Sequence, residues 1–304
     1  MYKRKAIALM ITLYFIMIMT VAVGIGLAQS SQATKEVEYH HFTLQTRVVL
    51  EDIISILQNS SELNLIVKEE SIDSFKLLLS EAGIIQFESS GVNVVVRLSS
   101  ARSKFNINSL LNVDDTKNVY RINTLSSYLS NYGVNSEYVD ILLDNMGKIK
   151  EDMSYNSGIF DERPYLFRDY IVSKSHLDVI NNFYISTYSE NSLNNVDFEK
   201  LFYFSKDRMM RIDLNYATVE TWRLLLNCDE IRASQLTLGE GNYKSLVDLD
   251  LNDEEKIALN GFEISYFEPL LNVNIEINSG SHVANINFEY DIKSKKGRDF
   301  VYEI

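Results

Sequence analysis

The chain has 304 residues, 46% of them hydrophobic and 23% charged, which is ample material for one or two domains with a core and excludes a chain that is disordered by composition. Its 42 acidic side chains against 29 basic ones give a net charge of −13, so nucleic acid is not an expected partner, because phosphate binding depends on clustered Lys and Arg. A single cysteine, Cys228, excludes an internal disulfide and reads as a small buried apolar residue near the helix that contains Trp222.

The first element is apolar. No charged side chain stands between Lys5 and Lys35, and Ile7 to Ala28 is broken only by Thr12, Thr20, Gly24 and Gly26. At about 1.5 Å per residue such a run crosses a hydrocarbon core of about 30 Å. Lys3, Arg4 and Lys5 precede it and Glu36 and Glu38 follow Lys35, so the positive-inside bias predicts a cytoplasmic N-terminus and an exported body. The alternative is a cleaved secretory signal peptide ending near Gly26-Leu27-Ala28, although its apolar region is usually about 7–15 residues long.

Beyond the polar link Gln29 to Thr34, Leu44, Val48, Ile53, Ile54 and Leu57 recur at helical spacing through Thr43 to Gln58, which predicts a helix continuing out of the membrane. A second helix is predicted over Ser71 to Ala82, with Ile72, Phe75, Leu78 and Leu79 on one side and Gly83 as its stop. The period then changes. Ile84 to Glu88 and Val92 to Leu98 read as a hairpin turning at Ser89-Ser90-Gly91, and Phe105 to Leu111 as a third strand.

From Leu125 to Leu259 the pattern is mainly helical, and between Val113 and Gly261 stand 25 Asp and Glu against 15 Lys and Arg. Strand character returns in Val273 to Asn278, Val283 to Ile292 and Phe300 to Ile304, turning at Ser279-Gly280-Ser281 and Lys295-Lys296-Gly297. Strands that bracket a helical block predict an α+β fold with an α-helical insertion, the first and last strands sharing one sheet.

No catalytic or metal-binding signature in the chain is complete. His40, His41, His176 and His282 are scattered without the HExxH spacing, and one thiol cannot support a Cys/His/Asp arrangement. Gly239 to Ser245 ends in Lys-Ser but lacks the P-loop spacing and reads as a turn; Asp248 to Asn252 opens like a calcium loop, yet Asp253 and Leu259 stand at its sixth and twelfth positions, so it reads as a helix start. Ile212-Asp213-Leu214-Asn215-Tyr216-Ala217-Thr218, leading into a helix with Val219, Trp222, Leu225 and Leu226, resembles the first helix of helix-hairpin-helix DNA-binding modules. Its turn, Asn227-Cys228-Asp229-Glu230, has no glycine and two acids, and a packing role for Trp222 is favoured.

Several segments in the same order resemble the type II secretion system minor pseudopilin K (general secretion pathway protein K) family. Lys3-Arg4-Lys5-Ala6 before Ile7-Ala8-Leu9-Met10-Ile11 resembles its leader junction, with Ala6 before the cut and Ile7 as the new N-terminus. Ile11 stands where most pilins carry glutamate and this family lacks it. Lys104 to Leu110 resembles the family's Lys/Arg-Phe-Asn-Leu-Asn-x-Leu strand, Arg163 to Tyr170 its loop ahead of a helix, Ile212 to Leu226 its Asn-Thr-Ala helix, and Ile264 to Phe267 the lead-in to its closing strands. The family's acidic Asp-Trp-x-Asp segment has no counterpart around Asp140 to Asp152, where Asp144-Asn145-Met146-Gly147 stands, so the calcium that the resemblance implies is assigned no residues and no other cofactor is expected.

The resemblance implies a prepilin leader and transmembrane helix (1–34), a pilin-like helix with the first strands of an antiparallel sheet (35–112), a large inserted α-helical domain (113–261) and closing strands (262–304). It implies a non-catalytic protein of the bacterial inner membrane with a periplasmic body, cleaved and N-methylated at Ile7 and extracted into the tip of a pseudopilus. The implied partners are other minor pseudopilins, the prepilin peptidase and the inner-membrane assembly platform. The alternatives are a membrane-tethered DNA-binding or type IV pilus/competence protein, and an exported enzyme using paired carboxylates.

Overall fold

The computed structural model describes residues 35–89, 91–150, 152, 154–280 and 282–303. The predicted span, with Ala6, Ile7 and Ile11, lies outside them, and among the described residues no helix is long and apolar enough to cross a membrane.

Residues 35–59 are helical (α1), starting earlier than the apolar spacing predicts. Phe42, Thr46, Leu50, Ile53 and Leu57 are its buried positions, three or four residues apart, which sets them in one stripe. The Ser60 hydroxyl accepts from the Leu63 amide at 3.2 Å and opens α2 (Ser61–Glu69), and the Ser71 hydroxyl accepts from the Ser74 amide at 3.1 Å and opens α3 (Ile72–Ala82). At Gly83 a Cβ would stand 2.3 Å from the Leu79 carbonyl oxygen, so only glycine fits the turn from α3 into β1 (Ile84–Ser89). β2 (Val92–Ser100) follows as the antiparallel partner of β1.

The chain then builds a helical body. In order it contains β3 (Phe105–Asn106), α4 (Val119–Ser130), α5 (Glu137–Met146), α6 (Ile159–Glu162), α7 (Lys174–Tyr188), α8 (Phe198–Leu201), β4 (Phe202–Tyr203), β5 (Ile212–Asp213), α9 (Val219–Leu226), α10 (Glu230–Thr237), α11 (Asp253–Leu259) and β6 (Ile264–Ser265). β3 pairs in parallel with β4, and β5 with β6. The expected strand over Phe105 to Leu111 is therefore corrected to two residues followed by a 3-10 turn at Ile107–Leu110. Its cause is local: the Asn106 side-chain oxygen accepts from the Asn108 amide at 3.2 Å and closes the backbone into a turn. Trp222, Tyr138 and Tyr184 are fully buried in this body's core, as favoured for Trp222.

β7 (Leu270–Ser279), β8 (His282–Asp291) and β9 (Lys296–Glu303) complete a five-stranded antiparallel sheet of order β1-β2-β7-β8-β9 among the described residues. β2 and β7 pair over nine positions, from Val92 with Ser279 to Ser100 with Leu271, so the strand before the helical body lies beside the strand after it. Alternate residues face α1: Val94, Val96, Val273, Ile275, Ile277, Ile286 and Phe288 are buried with Phe42, Leu50, Ile53, Ile66 and Phe75 in a second core. The fold is a mixed one, helices with an antiparallel sheet.

Candidate functional site

α1 has a second apolar stripe. Val37, Leu44 and Val48 are exposed by 67%, 64% and 56%, and at 3.6 residues per turn they stand about half a turn from Phe42, Thr46 and Leu50. A helix exposed only to water would carry polar residues there. The edge strand β1 adds exposed Ile84, Ile85 and Phe87. These faces are the candidate assembly surface.

The helical body is fixed to the sheet through a buried ion cluster. Glu289 of β8 is 1% exposed and receives both guanidinium groups of Arg102, on the segment leaving β2, and Arg298 of β9. The Tyr203 hydroxyl of β4 donates to it at 3.0 Å. Two positive charges and a hydroxyl around one carboxylate satisfy its lone pairs, which is the condition under which a buried charge is tolerated.

A second set of bonds clamps the two connecting segments. Asp213 is fully buried; its backbone amide donates to the Arg102 carbonyl at 2.9 Å, and its carboxylate accepts from the Glu268 amide at 2.9 Å and the Asn215 amide at 3.0 Å. Burial, with the nearby Glu268 charge adding to it, outweighs those two bonds and pushes its carboxyl up to about 7. The Asn215 side chain donates to the carbonyls of Tyr243 (2.8 Å) and Tyr266 (2.6 Å) and accepts from the Tyr243 amide (2.8 Å).

The asparagines that carry the resemblance are thus staples. Asn106 donates to Ser205 and Asp207 carbonyls, and Asn108 exchanges two bonds with the Ile171 backbone. Arg168 of the loop ahead of α7 stacks over Phe160, 3.8 Å from its centroid, and donates to the Pro164 carbonyl, while Tyr165 beside it is 99% exposed.

Asp144 does not fit a cation site. It is 2% exposed, and its two carboxylate oxygens accept from the backbone and side chains of Asn156 and Ser157 at 2.7–3.1 Å, which closes a loop. Among the described residues no group of three His, Cys, Asp or Glu is arranged to hold a metal. Asp248 and Asn252 make capping boxes at a 3-10 turn and at α11, as the reading of a helix start requires.

The helix-hairpin-helix resemblance reaches the topology, since α9 and α10 are joined by Asn227 (φ 49°), Cys228 and Asp229. However, the Asp229 carboxylate accepts from the Arg232 amide at 2.8 Å and holds the helix start where such modules present amides to phosphate. Cys228 is half-buried, its Sγ 3.8 Å from the Trp222 carbonyl, and burial raises its thiol pKa to about 11. His40 and His41 are exposed on α1, His282 stacks on Phe42 with centroids 5.4 Å apart, and His176 is buried on α7 against Phe167, so His176 does not join the others, and among the described residues none of the four belongs to a metal-holding group.

No protein-family model matches the chain, and no curated protein matches it. Among solved structures, a chain in the crystal structure of the GspK-GspI-GspJ complex of the type 2 secretion system from enterotoxigenic Escherichia coli is similar to this one at 13% identity and a TM-score of 0.45, over 86% of this chain and 98% of that chain.

Proposed function

We propose that this chain is a non-catalytic minor pseudopilin of a type II secretion system, anchored first in the bacterial inner membrane and then drawn into the tip of a periplasmic pseudopilus. The observation that carries the reading is the double-faced α1: one stripe packs on its own sheet, and Val37, Leu44 and Val48 on the other are bare. In sequence this helix follows the charge-free run Ile7 to Ala28 after the six-residue polar link Gln29 to Thr34. A filament subunit needs that layout, with one helix face for its own body and the other for its neighbours. The ordered motifs from Lys3 to Phe267 add the family.

The expected partners are other minor pseudopilins, the prepilin peptidase, which would cut between Ala6 and Ile7, and the inner-membrane assembly platform. The test is the mature N-terminus, read by mass spectrometry of protein from native membranes. N-methylated Ile7 is the expected result; a start near Gln29, or an intact Met1, overturns the proposal.

A further inference from the structure

The two edges of the five-stranded sheet differ. β9 carries Lys296, Arg298, Asp299 and Glu303, and its pairing with β8 is irregular between Asn287 and Glu289. Charges and bulges are the usual guards against pairing at an open edge. β1 has no such guard: it pairs with β2 in unbroken register from Ile84 to Ser89, and Glu88 is its only charge. Residues 84–88 are all exposed, the apolar Ile84, Ile85 and Phe87 among them.

The free side of β1 accepts only a strand in one phase. The Leu98 amide donates to the Gly83 carbonyl at 2.8 Å, so ladder bonds to β2 fall at every second residue from Gly83. The amides and carbonyls of Ile84, Gln86 and Glu88 therefore point outward, and among the described residues none of them has a hydrogen-bond partner. Ile85 and Phe87 stand opposite Val96 and Val94, which are buried in the second core. They continue that apolar layer to the edge, where they are left 43% and 41% exposed.

We propose that β1 pairs antiparallel with β1 of a second copy about a two-fold axis at Gln86, joining the two sheets into one. The strand is self-complementary in that register. Centring the pair on Gln86 is the one symmetric arrangement that pairs the outward groups of Ile84, Gln86 and Glu88 in both copies. The same register sets Ile85 against Phe87 of the second copy at a non-hydrogen-bonded position, where facing side chains come closest. Both pairs of apolar residues then cover the half-exposed end of the buried layer. Each chain has a net charge of −13, but the line of contact adds little repulsion. The two Glu88 residues stand four positions apart along it, about 13 Å, beyond the Debye length of about 8 Å at physiological salt.

The test is oxidative cross-linking of the full-length Gln86→Cys variant in native membranes. The two Cα atoms at this position would stand about 5.5 Å apart, inside the range of about 4.4–6.8 Å that a disulfide spans. A linked species of twice the chain's mass is expected, at a yield about tenfold or more above that of Lys296→Cys on the guarded edge. Light scattering of the purified full-length chain in detergent should show a dimer. Gln86→Pro removes an outward amide and leaves the ladder to β2 intact, and Phe87→Lys sets a charge against Ile85 of the second copy. Each should weaken the dimer about tenfold or more while retaining a cooperative thermal transition. No self-linked species, equal linkage by Lys296→Cys, or an unweakened dimer in folded Gln86→Pro and Phe87→Lys overturns the proposal. So does linkage of Gln86→Cys to a different protein in place of itself, which would mark a foreign strand at this edge. None of these outcomes bears on the mature N-terminus, so this proposal and the pseudopilin reading fail separately.

Discussion

Asp213 couples the joint between sheet and helical body to pH. Its folded carboxyl, at about 7, titrates well above the value of about 3.9 for an unfolded chain. Below about pH 4 both states hold the proton and its contribution is at its most favourable; from about 4 to 7 the unfolded state releases the proton first, so stability falls as pH rises; above about 7 the loss is complete. Asp213→Asn should remove this fall, so that the stability difference between wild type and variant changes with pH over that window, although its amide places a donor against one of two backbone donors and lowers stability at every pH. Urea denaturation of both chains from pH 4 to 8 checks this, and a parallel slope in the two would count against it. His176, whose pKa burial lowers, gives the opposite slope near its unfolded value, which is why the pair of curves is compared.

At the scale of elements, α1 is the one whose two faces are separable by substitution. Val48→Glu on the bare stripe should leave the thermal midpoint nearly unchanged, within about 0.5 kcal/mol, as surface changes usually do. Under the proposed function it should abolish co-purification with other minor pseudopilins. Leu50→Ala on the packed stripe should instead cost about 2–5 kcal/mol, read by chemical denaturation. Elements that bury one face were the legible ones: β7 and β8 alternate, α3 repeats at three and four, and their own residues state the period. α2 was missed because its two buried residues, Leu63 and Ile66, are too few to set a period. Phe105 to Leu111 alternates like a strand, but its asparagines bond their own backbone and override the pattern. The outer stripe of α1 was legible only as apolar residues within a helix, because which face meets the sheet is decided by the packing.

For the whole molecule, the decisive contacts join residues that no local pattern connects. Arg102 and Glu289 are 187 positions apart, so their pairing could not be read along the chain. Glu289→Gln should leave two guanidinium groups without their counter-charge in the joint. A loss of about 3–5 kcal/mol is expected from breaking such a buried group, measured by chemical denaturation. A near-neutral result would show that water reaches both arginines once the carboxylate is gone.

The points where the helical body begins and ends lie side by side, since the Ala101 amide donates to the Leu270 carbonyl at 2.9 Å. That adjacency has a kinetic consequence. β2 cannot pair with β7 until some 170 intervening residues, Ala101 to Pro269, have been made and gathered, and closing so long a loop before any sheet contact forms is slow. The helical body, with a core of its own, can collapse first and hold its two ends together. A strand that emerges early therefore waits, unpaired, for one that emerges late, and the inserted body acts as the splint that makes their meeting fast.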